Sequence, residues 1–255
     1  MDTAGRTALV TPARIKGFLV AGVLLLVLSL WRGAALPPAT ELDPALLGEP
    51  LQQSTSDPPF SVVSKGVSYT VKPLYRYELA GLVVSEHSAD SWWDFVHREW
   101  QDRLNVVDLC VVWGENVRRE SYANASFSSG QFTCYYGLRF EKALAAFDVR
   151  GFSNNHLLTG DPQLARLMRT VRVGDQIQFR GRLVEYSHKE GDGFWRGTSI
   201  TRDDAGNQSC ETVYVDAFEV IRRKSGLWHV LSWVAGITVL VGIAAWFAQP
   251  VRYDD

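Results

Sequence analysis

The chain has 255 residues, with 26 Lys and Arg against 28 Asp and Glu, and a formal net charge of -2. It therefore has no basic surplus with which to hold nucleic acid, and none is expected as a partner. Its cysteines, Cys110, Cys134 and Cys210, match no zinc or haem attachment spacing.

Residues 1–16 form a short tail bearing Arg6, Arg14 and Lys16. The run GFLVAGVLLLVLSLW, Gly17 to Trp31, follows with no acidic or basic residue inside it. Taken over 17–36, it reads as a transmembrane helix or signal anchor. The basic start and the small residues Gly33, Ala34 and Ala35 also suit a cleaved signal peptide, so both readings stand at this level. Residues 37–59 are rich in Pro, Ser, Thr, Gln and Asp. They read as an extended linker with one helical turn at PALL.

From Phe60 the composition becomes β-branched and aromatic, first in FSVVSKGVSYTV and then in PLYRYELAGLVVSE, where Gly81 predicts a bulge or a close backbone approach. SADSWWDFVHREWQDRL carries Trp93, Val96, Trp100 and Leu104 at helical spacing and predicts a helix. Strands follow in VVDLCVVWG and QFTCYYGLRF, the second entered through Ser128, Ser129 and Gly130. GFSNNHLLTG reads as irregular, leading to a helix capped by Asp161 with Pro162 at its first position. VGDQIQFRGRLVEY alternates, then shifts phase at Val184, as a bulged barrel strand does. After the turn EGDG, FWRGTSI pairs back, and after DDAGNQ the strand SCETVYVDAFEVI completes the set.

The second apolar run, LWHVLSWVAGITVLVGIAAWFA over 227–248, has the length of a bilayer span. Trp228 and Trp246 would lie about 27 Å apart along it, one near each interface. Residues 249–255 form a second tail. Arg6, Arg14 and Lys16 favour a cytoplasmic amino terminus, whereas Arg222, Arg223 and Lys224 argue the reverse. The first helix usually sets topology, so both tails are expected in the cytoplasm and the domain outside it.

The expected fold is mainly β: a small OB-like β-barrel over 60–224, with one or two helices, flanked by two transmembrane helices. An exported domain with an odd number of cysteines suggests one disulfide and one free thiol. Cys110 with Cys134 is the expected pair, because each lies in a neighbouring strand candidate.

The strings LAGLVVSEHSADSWWD, LCVVWGENV, FSNNHLL, GDQIQFRGRLVEYS, FWRGTS and CETVYVDAFEVI together resemble a group of bacterial membrane-anchored proteins with no characterised activity. That resemblance implies the bacterial inner membrane, with the domain periplasmic. A looser, architectural similarity is to the membrane-flanked barrel domain of mitochondrial membrane-anchored ubiquitin ligases. No RING segment or zinc ligand follows the second apolar run here.

Three groups of residues invite chemistry. His87, Asp90, Asp94 and His97 would share one helix stripe if the helix began early enough, with His87 expected to precede it, and are suitable metal ligands, but a polar stripe opposite the tryptophans is what a surface helix needs anyway. No metal or other cofactor is expected. Ser153, Asn154, Asn155 and His156 form a polar cluster in which His156 would be a general base and Asn154 or Asn155 would hold an oxyanion. The competing reading is a loop whose side chains cap their own backbone. Phe194, Trp195 and Arg196 are residues of the type that dominates interfaces, unless Trp195 is packed inside. The expected function is a membrane-anchored, non-enzymatic binding or assembly module with a protein partner in the envelope. The alternative is a tethered hydrolase or lyase using His156.

Overall fold

The computed structural model describes residues 11–138, 146–189, 193–201 and 210–249. The basic Arg6, most of the EGDG turn, the DDAGNQ turn and the tail from residue 250 lie outside these. The chain divides into two compact units, one from its two ends and one from residues 36–224.

Helix α1 runs Pro12–Ala34, starting earlier than the apolar run itself. Thr11 caps it by accepting from the backbone N–H of Arg14, and Pro12 takes the first turn, where its missing N–H costs nothing.

The second unit is mainly β and begins before residue 60. Residues 37–59 are not a free linker: Leu46 is fully buried, Asp43 caps a 3-10 turn over Pro44–Leu47, and strand β1 (Leu51–Ser54) pairs with β3. The polar composition of this segment hid two apolar anchors, Leu42 and Leu46, which pack together with Leu36, Leu82 and Val112. Strand β2 (Phe60–Ser64) turns into β3 (Val67–Ser88) through Lys65 and Gly66. Their φ values of 46° and 86° are those of a two-residue hairpin turn that only flexible or small residues adopt easily. β3 is a single strand of 22 residues. Gly81 lies within it, and a Cβ there would meet Val111 Cγ1 at 2.2 Å and Val112 O at 2.9 Å, so it serves a close approach. The bulge falls further on, between Val83 and Ser85.

The predicted helix over 88–104 shrinks to one turn, α2 (Val96–Glu99). Ser88 belongs to β3, and Asp94 bonds the backbone N–H of His97 and two imidazoles rather than lying on a solvated stripe. Strand β4 (Asn105–Val112), the short helix α3 (Glu115–Arg118) and a separate hairpin, β5 (Ala125–Gly130) and β6 (Thr133–Leu138), come next. Ser128, Ser129 and Gly130 are thus the end of β5.

GFSNNHLLTG is not irregular. Its Phe152–Leu158 is strand β7, antiparallel to β4 on one side and parallel to β10 on the other. Polar residues on both faces masked the alternation that would have revealed it. Helix α4 (Pro162–Met168) follows, with Asp161 accepting from the N–H groups of Gln163 and Leu164. Then come β8 (Gln176–His188), β9 (Phe194–Arg196) and β10 (Cys210–Arg222). Leu183 and Val184 of β8 are both buried, as the phase shift required, but the extra residues sit in its neighbours, at Leu74 of β3 and Asp216 of β10.

The main sheet pairs β3 with β4, β4 with β7, β7 with β10, β10 with β8, and β8 with β3. Only the β7–β10 pair is parallel. Trp113, Leu109, Leu157, Phe179, Leu183 and Val213 are central to its largest apolar cluster.

A disulfide joins Cys110 of β4 to Cys134 of β6, across 24 positions of sequence. Closing a loop of this size restricts the unfolded chain and contributes about 3 kcal/mol. Cys134→Ala is therefore expected to lower Tm by about 6–12 °C. Thermal melts of wild type with and without reductant check this, and equal midpoints would show that the crosslink contributes nothing.

Helix α5 (Leu227–Phe247) completes the first unit and packs antiparallel to α1, with Gly22 beside Val239 and Gly33 beside Trp228. Both helices are long and apolar enough to cross a membrane and are compatible with anchoring there. Their contact uses small residues: Gly22, Ser29, Ala235 and Gly242 are buried, and a Cβ on Gly242 would come within 2.7 Å of Leu19.

Candidate functional site

Strand register places one row of polar side chains across the sheet. His87 of β3 pairs with Asp108 of β4, Asp108 with His156 of β7, and His156 with Thr212 of β10. Directly opposed residues share a face. It is the face opposite Leu109 and Leu157, and it is covered by the segment between β3 and β4, the tip of the β5–β6 hairpin, and β9.

His87, Asp108 and His156 of this row belong to a continuous hydrogen-bonded chain. Asp94 Oδ2 accepts from His87 Nε2 at 2.6 Å and from His97 Nδ1 at 2.5 Å. His97 Nε2 accepts from Asn105 Nδ2 at 2.9 Å, which also donates to Asp108 Oδ1 at 2.8 Å. Asp108 Oδ1 accepts from His156 Nδ1 at 2.6 Å, and His156 Nε2 accepts from Arg196 Nη2 at 2.6 Å. Because a carboxylate only accepts and a guanidinium only donates, His156 is held as the neutral Nδ1–H tautomer. The guanidinium also lies over the Phe132 ring, 4.1 Å from its centre.

Electrostatics agree with this proton placement. Burial holds His156 below the ordinary imidazole value, Arg196 adds to the effect and Asp108 opposes it. Burial alone would raise Asp108, but the His156 contact, His97 and the Asn105 hydrogen bond outweigh it and keep the carboxyl below the usual range. Asp102 is raised by burial, although Tyr186 donates to it at 2.6 Å. Tyr69, above this pair, is pushed up to about 12 by burial. Two acceptors in the chain, Asn105 Oδ1 and Asp108 Oδ2, find no partner among the described residues.

The candidate base His156 is thus fully buried and both its nitrogens are engaged. Asn155 cannot assist it, since strand alternation turns Asn155 to the other face, where its Nδ2 donates to Ser153 Oγ at 2.9 Å. Asn154 shares the His156 face and donates to Phe132 O at 3.1 Å. Neither Asn caps a loop of its own. Phe194, Trp195 and Arg196 separate in role: Phe194 packs against Tyr186 and His188, Arg196 locks onto His156, and Trp195 is 67% exposed.

Compared with protein-family models, curated proteins and solved structures, the chain matches none. Function is then a matter of the geometry.

His87, Asp94 and His97 do come together, but through a folded segment, and Asp90 is elsewhere, paired with Lys65 and Arg169. Sequence reasoning missed Asp108 and Asn105, although a lone acid within an otherwise apolar strand was a usable signal. It also missed Trp92 and Phe95, which a helical reading would have partly packed. They are 85% and 61% exposed.

Proposed function

We propose that this protein is a membrane-anchored, extracytoplasmic binding or assembly module of the bacterial envelope, with an OB-like barrel as its domain and an aromatic rim as its contact surface. Numbered by order among themselves, the five main strands pair as 1-2-3-5-4-1, with the third and fifth parallel and a helix after the third. That order supports the barrel. The Cys110–Cys134 disulfide supports an oxidising compartment, hence the periplasmic side of the inner membrane. Arg14 and Lys16 beside the first apolar run support the same orientation. Arg223, which argues against it, is paired with Asp175 in the folded domain.

The observation that carries the binding reading is Trp195. It stays 67% exposed on a short strand whose neighbour, Arg196, is pinned to the buried chain, so an indole is presented from a rigid base. Trp92, Trp93 and Trp100 also expose their rings from the segment between β3 and β4, and Trp100 touches Phe194. Rigid aromatics beside an arginine are the residues that dominate protein interfaces. A hydrolase or lyase would instead need a lone pair on His156 facing substrate, and Arg196 occupies it.

The test is a photoreactive phenylalanine analogue at position 195 in the full chain, in intact membranes, with the same analogue at Val149 as control. A discrete protein adduct at 195, weakened roughly 30-fold or more by Trp92→Ala, is the expected result. Equal labelling at both positions, or none at 195, overturns the reading.

A further inference from the structure

Three buried side chains near this surface converge as a donor set that the hydrogen-bonded chain does not fully explain. Nε2 of His87, Nδ1 of His97 and one oxygen of Asp94 all lie within 4.8 Å of one another. The side chains are 2%, 1% and 0% exposed. They come from the end of β3, from α2 and from the segment between them, so their meeting is a tertiary event rather than a by-product of one helix face. Trp93 stands 4.7 Å from the His87 ring and Phe132 stacks 3.8 Å from the His97 ring, which shields the group from water.

Charge balance points the same way. Asp94 and Asp108 are both wholly buried, and among the described residues the permanent cation hydrogen-bonded to the chain is Arg196, which bonds His156 at its far end. One guanidinium does not balance two buried carboxylates, and buried charge without compensation is costly.

We infer that His87, Asp94 and His97 form a binding site for a divalent ion of the zinc type. Two imidazoles and one carboxylate suit zinc, whereas magnesium and calcium take mostly oxygen ligands. The present N···O separations of 2.6 and 2.5 Å are hydrogen-bond distances. Around an ion with bonds of roughly 2.0–2.1 Å they open by less than about 1 Å. Binding needs no net proton loss from neutral rings: each imidazole gives the ion one nitrogen and carries its proton on the other. His97 then needs an acceptor at Nε2. Asn105 Oδ1, buried and without a partner among the described residues, supplies it when the carboxamide turns over; Asp108 Oδ1 then gives up the bond from Asn105 Nδ2 and keeps the one from His156. The ion ties the segment carrying Trp92, Trp93 and Phe95 to β3. The site stands whether or not those aromatics meet a partner.

The full chain is purified in detergent through a tag other than polyhistidine, stripped with chelator, and titrated with Zn²⁺ against a chromophoric competitor. One equivalent is expected to bind. His97→Ala and Asp94→Asn are expected to weaken it at least 100-fold, Asn105→Ala 10–100-fold, and His229→Gln not at all. Variants that fail to fold, as judged by near-ultraviolet circular dichroism, are replaced by a second measurement on wild type with Co²⁺. Intense visible bands of a four-coordinate site, in which one water completes the two imidazoles and the Asp94 carboxylate, support the inference, and the pale spectrum of the hydrated ion overturns it. So does the absence of a bound equivalent, or a folded His97→Ala variant with wild-type affinity.

Discussion

Asp108→Ala is expected to lower the Tm of the domain by roughly 6–20 °C. Asp108 is fully buried, and its Oδ1 is shared by His156 Nδ1 and Asn105 Nδ2, with Arg196 held at one remove. Truncation leaves two donors without an acceptor and a guanidinium near a buried site that has lost its negative charge. Breaking a buried pair from one side in this way costs about 3–5 kcal/mol, and each kcal/mol moves the midpoint of a domain this size by about 2–4 °C. Asp108→Asn keeps one acceptor oxygen and is expected to cost about 1–3 kcal/mol. Thermal and urea melts of the three proteins decide the matter. An alanine variant within about 2 °C of wild type would mean that the row from His87 to Thr212 is not a structural element.

Gly181→Val is expected to prevent stable folding, and Gly181→Ala to cost about 3 kcal/mol or more. Gly181 lies in β8 opposite Val215 of β10 on one side and Tyr77 of β3 on the other. A Cβ there would sit 2.1 Å from Tyr214 O, 2.9 Å from Tyr214 C and 3.0 Å from Val215 Cα. These are backbone atoms, so no rotamer change relieves the clash and β8 must part from β10. Gly66→Asn is the control, since a Cβ at Gly66 meets nothing within 4 Å and Asn tolerates its φ of 86°. Urea melts read both. A Gly181→Ala protein as stable as wild type would show that β8 and β10 do not approach this closely.

Several elements were legible because their cause is local. Asp161 and Pro162 announce α4, and the apolar runs announce α1 and α5, whereas FSVVSKGVSYTV reads as one strand-like run and does not show its turn at Lys65-Gly66. Each helix depends on a cap or an unbroken apolar run that a short window contains. The phase shift in β8 was visible too, though the bulges that accommodate it belong to β3 and β10 and left no mark in β8 itself.

The polar centre was read wrongly for the opposite reason. His156 sits in a central strand paired on both sides, where register decides which side chains oppose it, and register is a relation between segments far apart in sequence. The spacing of Asp94 and His97 predicted a solvated helix stripe, yet Asp94 is drawn inward by two imidazoles, one of them from His87 ahead of the helix, and the helix gives way to a single turn.

Sequence alone determined that two apolar runs enclose a β-rich domain, since hydrophobicity and length add residue by residue. Only the tertiary structure decided that Asp108 meets His156, that Arg196 closes the chain, and that Trp195 stays outside. Those outcomes depend on which strands are neighbours and on how scarce buried donors and acceptors share one another, and no single segment carries either.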